Sequence, residues 1–178
     1  MPDETDLSYP IGVFNLLPPG SVAQRDTLIA QIEETPARLQ AAVAGFSEAQ
    51  FDTRYRPGGW TVRQVVHHLP DSHMNAFIRC KLALTETEPL IKPYRQELWA
   101  ELADAHDTPI EVSLRLLDNL HRRWTLLLRA LEPAQWSRTF RHPEIGVLTL
   151  DTTLAMYAWH GRHHVAHITA LRRRMHWN

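Results

Sequence analysis

Two histidines stand four residues apart in the C-terminal stretch WHGRHHVAHI, at His160 and His164. On a helix that spacing stacks two rings on one face. Neutral imidazole is a strong ligand for zinc, nickel or iron, so two parallel rings form half of a metal site. The same spacing also suits two half-buried histidines bonded to side chains or water. The stretch holds His163 and His167 as well, and which rings point inward depends on the phase of the helix. A third ligand has to come from another segment, and VVHHLPDSH offers His67, His68 and His73.

Each helical residue turns about 100° around the axis. In the last helix Leu150, Leu154, Tyr157, Gly161, Val165, Ile168, Leu171 and Met175 make one apolar stripe. His164 falls roughly 40° from its centre and His160 roughly 80°, so both rings can enter a bundle together. His167, at roughly 100°, is marginal, and His163, at roughly 140°, is expected in water. On the earlier helix the stripe Val62, Val65, Leu69, Ala76, Cys80 and Leu84 puts His73 roughly 30° from its centre and His68 roughly 110° away. Periodicity alone therefore selects His73 as the buried ring and leaves His68 at the edge.

Helices must position these residues, and their boundaries are written locally. Apolar residues recur at three and four from Arg25 to Ala44, with Pro36 expected to kink or break that helix. Thr61 followed by Gln64 is a capping box after Pro57, Gly58 and Gly59, which starts a helix running to about Leu84. Residues 85–109 read as loop with one turn around 97–102. Thr108 is placed as an N-cap with Pro109 at the first helical position, opening a helix to Leu131. A short hairpin fits around Pro143–Gly146, and Thr149 or Asp151 then caps a last helix to about Met175. Residues 1–20 have no clear period and read as an ordered arm or a loop. The class is all-α, a four-helix bundle, with residues 1–178 as one domain.

Bulk composition narrows the function. The chain has 178 residues, 44% hydrophobic, enough for a core without staples. Nineteen Lys and Arg against 20 Asp and Glu leave a formal charge of −1, without the basic excess of a nucleic-acid binder. The one basic run, Arg172 to Arg174, lies where cations offset a helix dipole. A single cysteine, Cys80, rules out an internal disulfide and falls on an apolar face, as a buried inert thiol. The acidic N-terminus lacks a signal-peptide layout and no apolar run reaches membrane length, so a cytoplasmic location without a membrane role is expected.

The stretch GGWTVRQVVHHLPDSHMN together with WHGRHHVAHI resembles the DinB/YfiT superfamily over nearly the whole chain. The most specific feature is Trp60 followed eight residues later by His68 and Leu69; the histidine pair of the last helix, LSYPIG near the start, Pro93–Arg95 and the Met175–Trp177 ending add to it. The resemblance implies a four-helix bundle whose divalent metal is held by three histidines, which match His68, His160 and His164. It thus chooses His68 where the helical wheel does not, and makes His73 a buried supporting residue. Pro70 departs from the pattern, standing where YfiT-like sequences carry a small residue.

Three imidazoles leave a divalent ion with open positions, the layout of a catalytic site. Such a position can bind water and lower its pKa towards about 7, or hold a thiol as thiolate. Superfamily members are described as metal-dependent hydrolases, while characterised relatives use low-molecular-weight thiols, a bacillithiol S-transferase among them. The resemblance favours thiol transfer, with hydrolysis as the alternative and a non-enzymatic metal-binding module as a third reading. It implies a small-molecule substrate, zinc, nickel or manganese as the ion, and a homodimer. No nucleic-acid partner is expected. Asp71 can orient a ligand ring or be an ordinary solvated acid; Tyr157 and Arg79 can face the cavity. No residue is assigned a direct part in bond making.

Overall fold

The three- and four-residue apolar spacings fold into four long helices, described from a computed structural model over residues 7–15 and 20–177. Helix α1 spans Val22–Val43 and a short α2 spans Glu48–Phe51. Helix α3 spans Val62–Thr85, short turns α4 and α5 span Gln96–Trp99 and Ala103–Asp107, and α6 spans Ile110–Arg129. A 3₁₀ turn at Pro133–Ser137 leads into strands β1 (Thr139–His142) and β2 (Gly146–Thr149), and α7 spans Leu150–Arg174.

Helices α1 and α3 each pack against both α6 and α7. Neighbours in space are therefore not the neighbours in sequence. This is the all-α four-helix bundle that the periodicity implies. The starts of α1 and α7 are tied where Asp151 accepts from Arg25 Nε at 2.9 Å, Arg25 Nη2 at 2.8 Å and the Gly20 amide at 2.9 Å. At the other end of α7, Arg172 and Arg174 donate to the carbonyls of Ala44 and Tyr55, which absorbs two members of the basic run into the fold.

Several boundaries differ from the sequence expectations. Helix α1 begins earlier, because Ser21 and Gln24 form a reciprocal cap, and it runs unbroken through the buried Pro36. Helix α3 likewise continues through Pro70. Pro109, not Thr108, caps α6. The loop of residues 85–109 holds two short helices instead of one turn. The hairpin is present, with Phe140 opposite Leu148 in antiparallel register and both buried. Residues 1–6 and 16–19 of the expected arm lie outside the described residues.

The core divides into two apolar clusters along the bundle axis. One gathers Ile29, Ile32, Phe77, Cys80, Trp124, Leu128 and Leu154. The other gathers Leu39, Val62, Val65, Val66, Leu69, Leu117 and Ile168. At the level between them every long helix contributes a buried or half-buried polar side chain: Thr35, Ser72 and His73, His121, and His160 with His164.

Helix α7 packs tightly on α1 inside that layer. A Cβ added to Gly161 would lie 2.7 Å from Thr35 Oγ1 and 2.8 Å from its Cγ2. Thr35 is buried and cannot swing away. Gly161→Ala is therefore expected to destabilise the chain by about 1–3 kcal/mol, the usual cost of overpacking. Urea unfolding checks this. Thr35→Ala in the same chain should recover much of the loss, and additive losses would show that the two positions do not touch.

Candidate metal centre

Helix α3 aims the first ring. Thr61 Oγ1 accepts from the Gln64 amide at 3.1 Å, and Gln64 Oε1 accepts from the Thr61 amide at 3.0 Å. Gln64 Nε2 also donates to the Ala100 carbonyl at 2.8 Å, pinning the rotation of this first turn. His68 stands one turn further on. The Trp60 ring, just before the cap, packs against it with centroids 4.6 Å apart. This contact explains the Trp60–His68 spacing: the indole walls the imidazole.

Helix α7 supplies the pair. His160 Nε2 lies 3.2 Å from His164 Nε2 and 3.4 Å from His68 Nε2. One ring nitrogen from each of His68, His160 and His164 falls within 4.8 Å of the others. Ligand nitrogens about 2.0–2.1 Å from a tetrahedral ion stand about 3.3 Å apart. Burial, as the main cause, holds His68 and His164 well below the usual imidazole range and lowers His160 to about 4. At neutral pH three uncharged rings thus bring one nitrogen each to one place, where a divalent cation could take their lone pairs. The donor set fits such an ion.

Two cavities meet at His160. One, of about 480 Å³, lies between α3, α7 and the hairpin and includes Ser72, Arg79, Tyr94, His142 and Tyr157. The other, of about 550 Å³, includes Tyr9, Tyr55, Trp60, Trp159, His163 and His167. Gln96 and Glu97 border both. Arg79 and Tyr157 therefore do face a cavity. Arg79 forms no ion pair among the described residues, and its charge falls on His142 and Tyr157 in the same wall.

The remaining histidines correct the helical wheel. His163 is 7% exposed, not wet: its ring stacks on Trp159 at 4.3 Å and faces Tyr9 at 5.9 Å. His167 is buried too, with Nε2 3.0 Å from the Ser8 carbonyl. The arm at residues 7–15 covers the face of α7 that a bundle alone would leave in water. Conversely Met175, placed on the stripe, is 47% exposed, because the last turn extends past the core. His68 is 5% exposed, deeper than its edge position implies, since Trp60 lies over it. His67 faces α6 instead, with Nδ1 2.7 Å from Ser113 Oγ.

His73 is fully buried, as its stripe position requires, and its Nε2 lies 3.1 Å from His160 Nδ1. It, rather than Asp71, bonds a ring of the triad. Asp71 is half-buried, its carboxyl raised to about 6 by burial. Behind His73 stands His121 of α6, whose Nε2 is 2.8 Å from His73 Nδ1. Sequence reasoning passed over His121. Its signal was there: position 121 continues the stripe Leu117, Trp124, Leu128. Cys80 is buried with its thiol pushed up to about 12, so it is inert as expected.

Residues 31–168 match the DinB superfamily. A protein of Bacillus cereus strain B4264, which carries a provisional metal-dependent hydrolase name, is 54% identical over 172 residues, covering 97% of this chain and 99% of its own. A Bacillus mycoides protein with the same kind of name is 53% identical over 174 residues at the same coverage. The structure of YfiT from Bacillus subtilis, provisionally described as a metal-dependent hydrolase with an unusual four-helix bundle topology, superposes with a TM-score of 0.95 at 51% identity. It covers 97% of this chain and 99% of that one. TT2238, a four-helix bundle protein at 21% identity, shares the fold with a TM-score of 0.57 over 82% of this chain and 98% of its own. The polar layer, the facing histidines and these matches lead to one conclusion: the chain belongs to the DinB superfamily.

Proposed function

We propose that this chain is a metal-dependent enzyme that holds a divalent ion on His68, His160 and His164 and transfers a low-molecular-weight thiol to an electrophile. The observation that carries the reading is the meeting of two cavities, of about 480 and 550 Å³, at the His160 ring. A transfer between two organic molecules needs room for both beside one activating centre; hydrolysis needs room for one molecule and a water. When bound, the ion supplies Lewis acidity that favours the ionised form of a thiol or water. Zinc, nickel and manganese all suit the donor set.

The chain's own side chains do the rest. Trp60 shields His68 from water and keeps its ring turned inward. Burial keeps the three imidazoles unprotonated. Arg79 and the Tyr94 and Tyr157 hydroxyls give the first cavity polar anchors for one reactant, while Tyr9, Tyr55 and Trp159 give the second an aromatic lining for the other. Sulfur forms the new bond to the electrophilic carbon, the leaving group departs with its electron pair, and the thiol proton passes to solvent. A reducing cytoplasm, the compartment we assign, keeps such thiols available. Among the described residues no helix is long and apolar enough to cross a membrane.

Hydrolysis is the second reading, favoured by the names of the Bacillus relatives. One screen separates the two. Several cellular thiols are offered a model electrophile with and without added zinc, nickel or manganese, and esters and amides are run in parallel. The expected result is metal-dependent thiol consumption, with a rate that already rises well below the free thiol pKa of about 8.5. Equal rates with and without metal would sink the enzymatic role of the triad. Product formed by water whatever thiol is present would promote the hydrolase.

A further inference from the structure

The three hydrogen bonds behind His160 share one direction, and a proline sets it. In an α-helix the amide of residue i donates to the carbonyl of i−4. Pro36 has no amide hydrogen, so in α1 the Ile32 carbonyl loses its usual partner. His121 Nδ1 fills that gap, 2.6 Å from Ile32 O. A carbonyl only accepts, so the proton of this neutral ring must be on Nδ1. His121 Nε2 is then a lone pair, and His73 Nδ1 must donate to it across 2.8 Å. His73 Nε2 is a lone pair in turn, and His160 Nδ1 must donate to it across 3.1 Å. His160 is left with a bare Nε2, the atom that faces His68 Nε2 and His164 Nε2. In the opposite tautomer the proton would occupy the position a metal needs.

We propose that His121 and His73 are positioning residues which, anchored on the carbonyl freed by Pro36, lock His160 in the Nδ1–H tautomer and so prepare Nε2 to bind a divalent ion. The relay has no exit for a proton. It ends on a carbonyl between buried residues, so it orients a ring and conducts nothing. It also explains a proline within a long helix, and three histidines on three helices at one level of an apolar bundle. Partners that orient a ligand ring are worth about 10–100-fold in metal affinity.

The proposal rests on the metal-site reading, and its test judges the two separately. Two-bond ¹H–¹⁵N correlations on the metal-free protein report which nitrogen of each ring carries the proton. The expected pattern is Nδ1–H on His121, His73 and His160; a proton on His160 Nε2 overturns the relay. Zinc affinity is then measured by competition with a chromophoric chelator. His121→Leu is expected to weaken binding by about 10–100-fold. His121→Gln, whose amide offers a donor nitrogen and an acceptor oxygen, should recover most of it. Pro36→Ala restores a competing amide to Ile32. It should weaken zinc binding while the chain still folds, since the helix hydrogen bond regained at Ile32 offsets part of the packing lost with the ring. This variant carries the affinity arm if His121→Leu does not fold. Unchanged affinity overturns the positioning role even if the tautomers are as expected. A wild-type protein with the Nδ1–H pattern that takes up no zinc, nickel or manganese sustains the relay and overturns the metal assignment.

Discussion

Replacing His160 with Ala is expected to abolish stoichiometric uptake of a divalent ion and to lower any metal-dependent activity by more than the about 10–100-fold that a supporting residue costs. His160 is the pivot of the site: its Nε2 is the near neighbour of both other rings, it opens on both cavities, and its Nδ1 is held from behind. His68→Ala and His164→Ala should also empty the site, since two imidazoles cannot enclose an ion as three do. His73→Ala should weaken binding without abolishing it. Elemental analysis of the purified variants decides. If His73→Ala empties the site while His68→Ala leaves it full, the third ligand is the ring selected by the helical stripe, and the family match at His68 misleads.

Acid should unfold the metal-free protein before its ordinary carboxylates are fully protonated. Burial lowers His68, His73 and His164 well below the usual imidazole range, and brings His121, His160 and His167 to about 4 and His163 to about 3. Above the unfolded value of about 6.5 both states are neutral and these groups add no pH dependence. Below it the unfolded chain takes up protons that the fold refuses, so stability falls with falling pH until the folded values are passed. His121, 1% exposed, alone removes about 3 kcal/mol between pH 6.5 and 4. The other six rings shift in the same direction, so each adds to the loss of stability. Circular dichroism in the presence of a chelator should show a midpoint between pH 4 and 6. Added zinc, which binds three of the same lone pairs, should move it lower. A signal flat down to pH 4 would mean that the rings find compensating charge in the fold.

The sequence and the structure agree wherever the cause is local. Thr61 and Gln64 cap α3 because a capping box needs only four consecutive residues. The apolar stripe of α7 placed His164 inward because Gly161, three residues before it, and Ile168, four after it, belong to that stripe. Agreement ends where a distant segment intervenes. The wheel assigned His163 to water since it sees one helix in a bundle, whereas Tyr9 and Ser8, some 150 residues earlier in the chain, lie on that face. It set His68 at an edge because Trp60, outside the helix, does the covering. Pro36 read as a break in its helix, while its effect in the fold is to bare one carbonyl to α6. His121 was visible on its stripe, but its partnership with His73 depends on the register between α3 and α6, which no single helix encodes.

The arm over α7 has a practical consequence for anyone handling this chain. Ser8 and Tyr9 line the cavity on one side of the histidine triad, and Ser8 holds His167 through its carbonyl. Segments outside the long helices are commonly trimmed or fused to an affinity tag as if dispensable. Here either operation edits the wall of the cavity beside the histidine triad. A tag joined to this arm, above all one made of histidines, would bring rival imidazoles close to the triad.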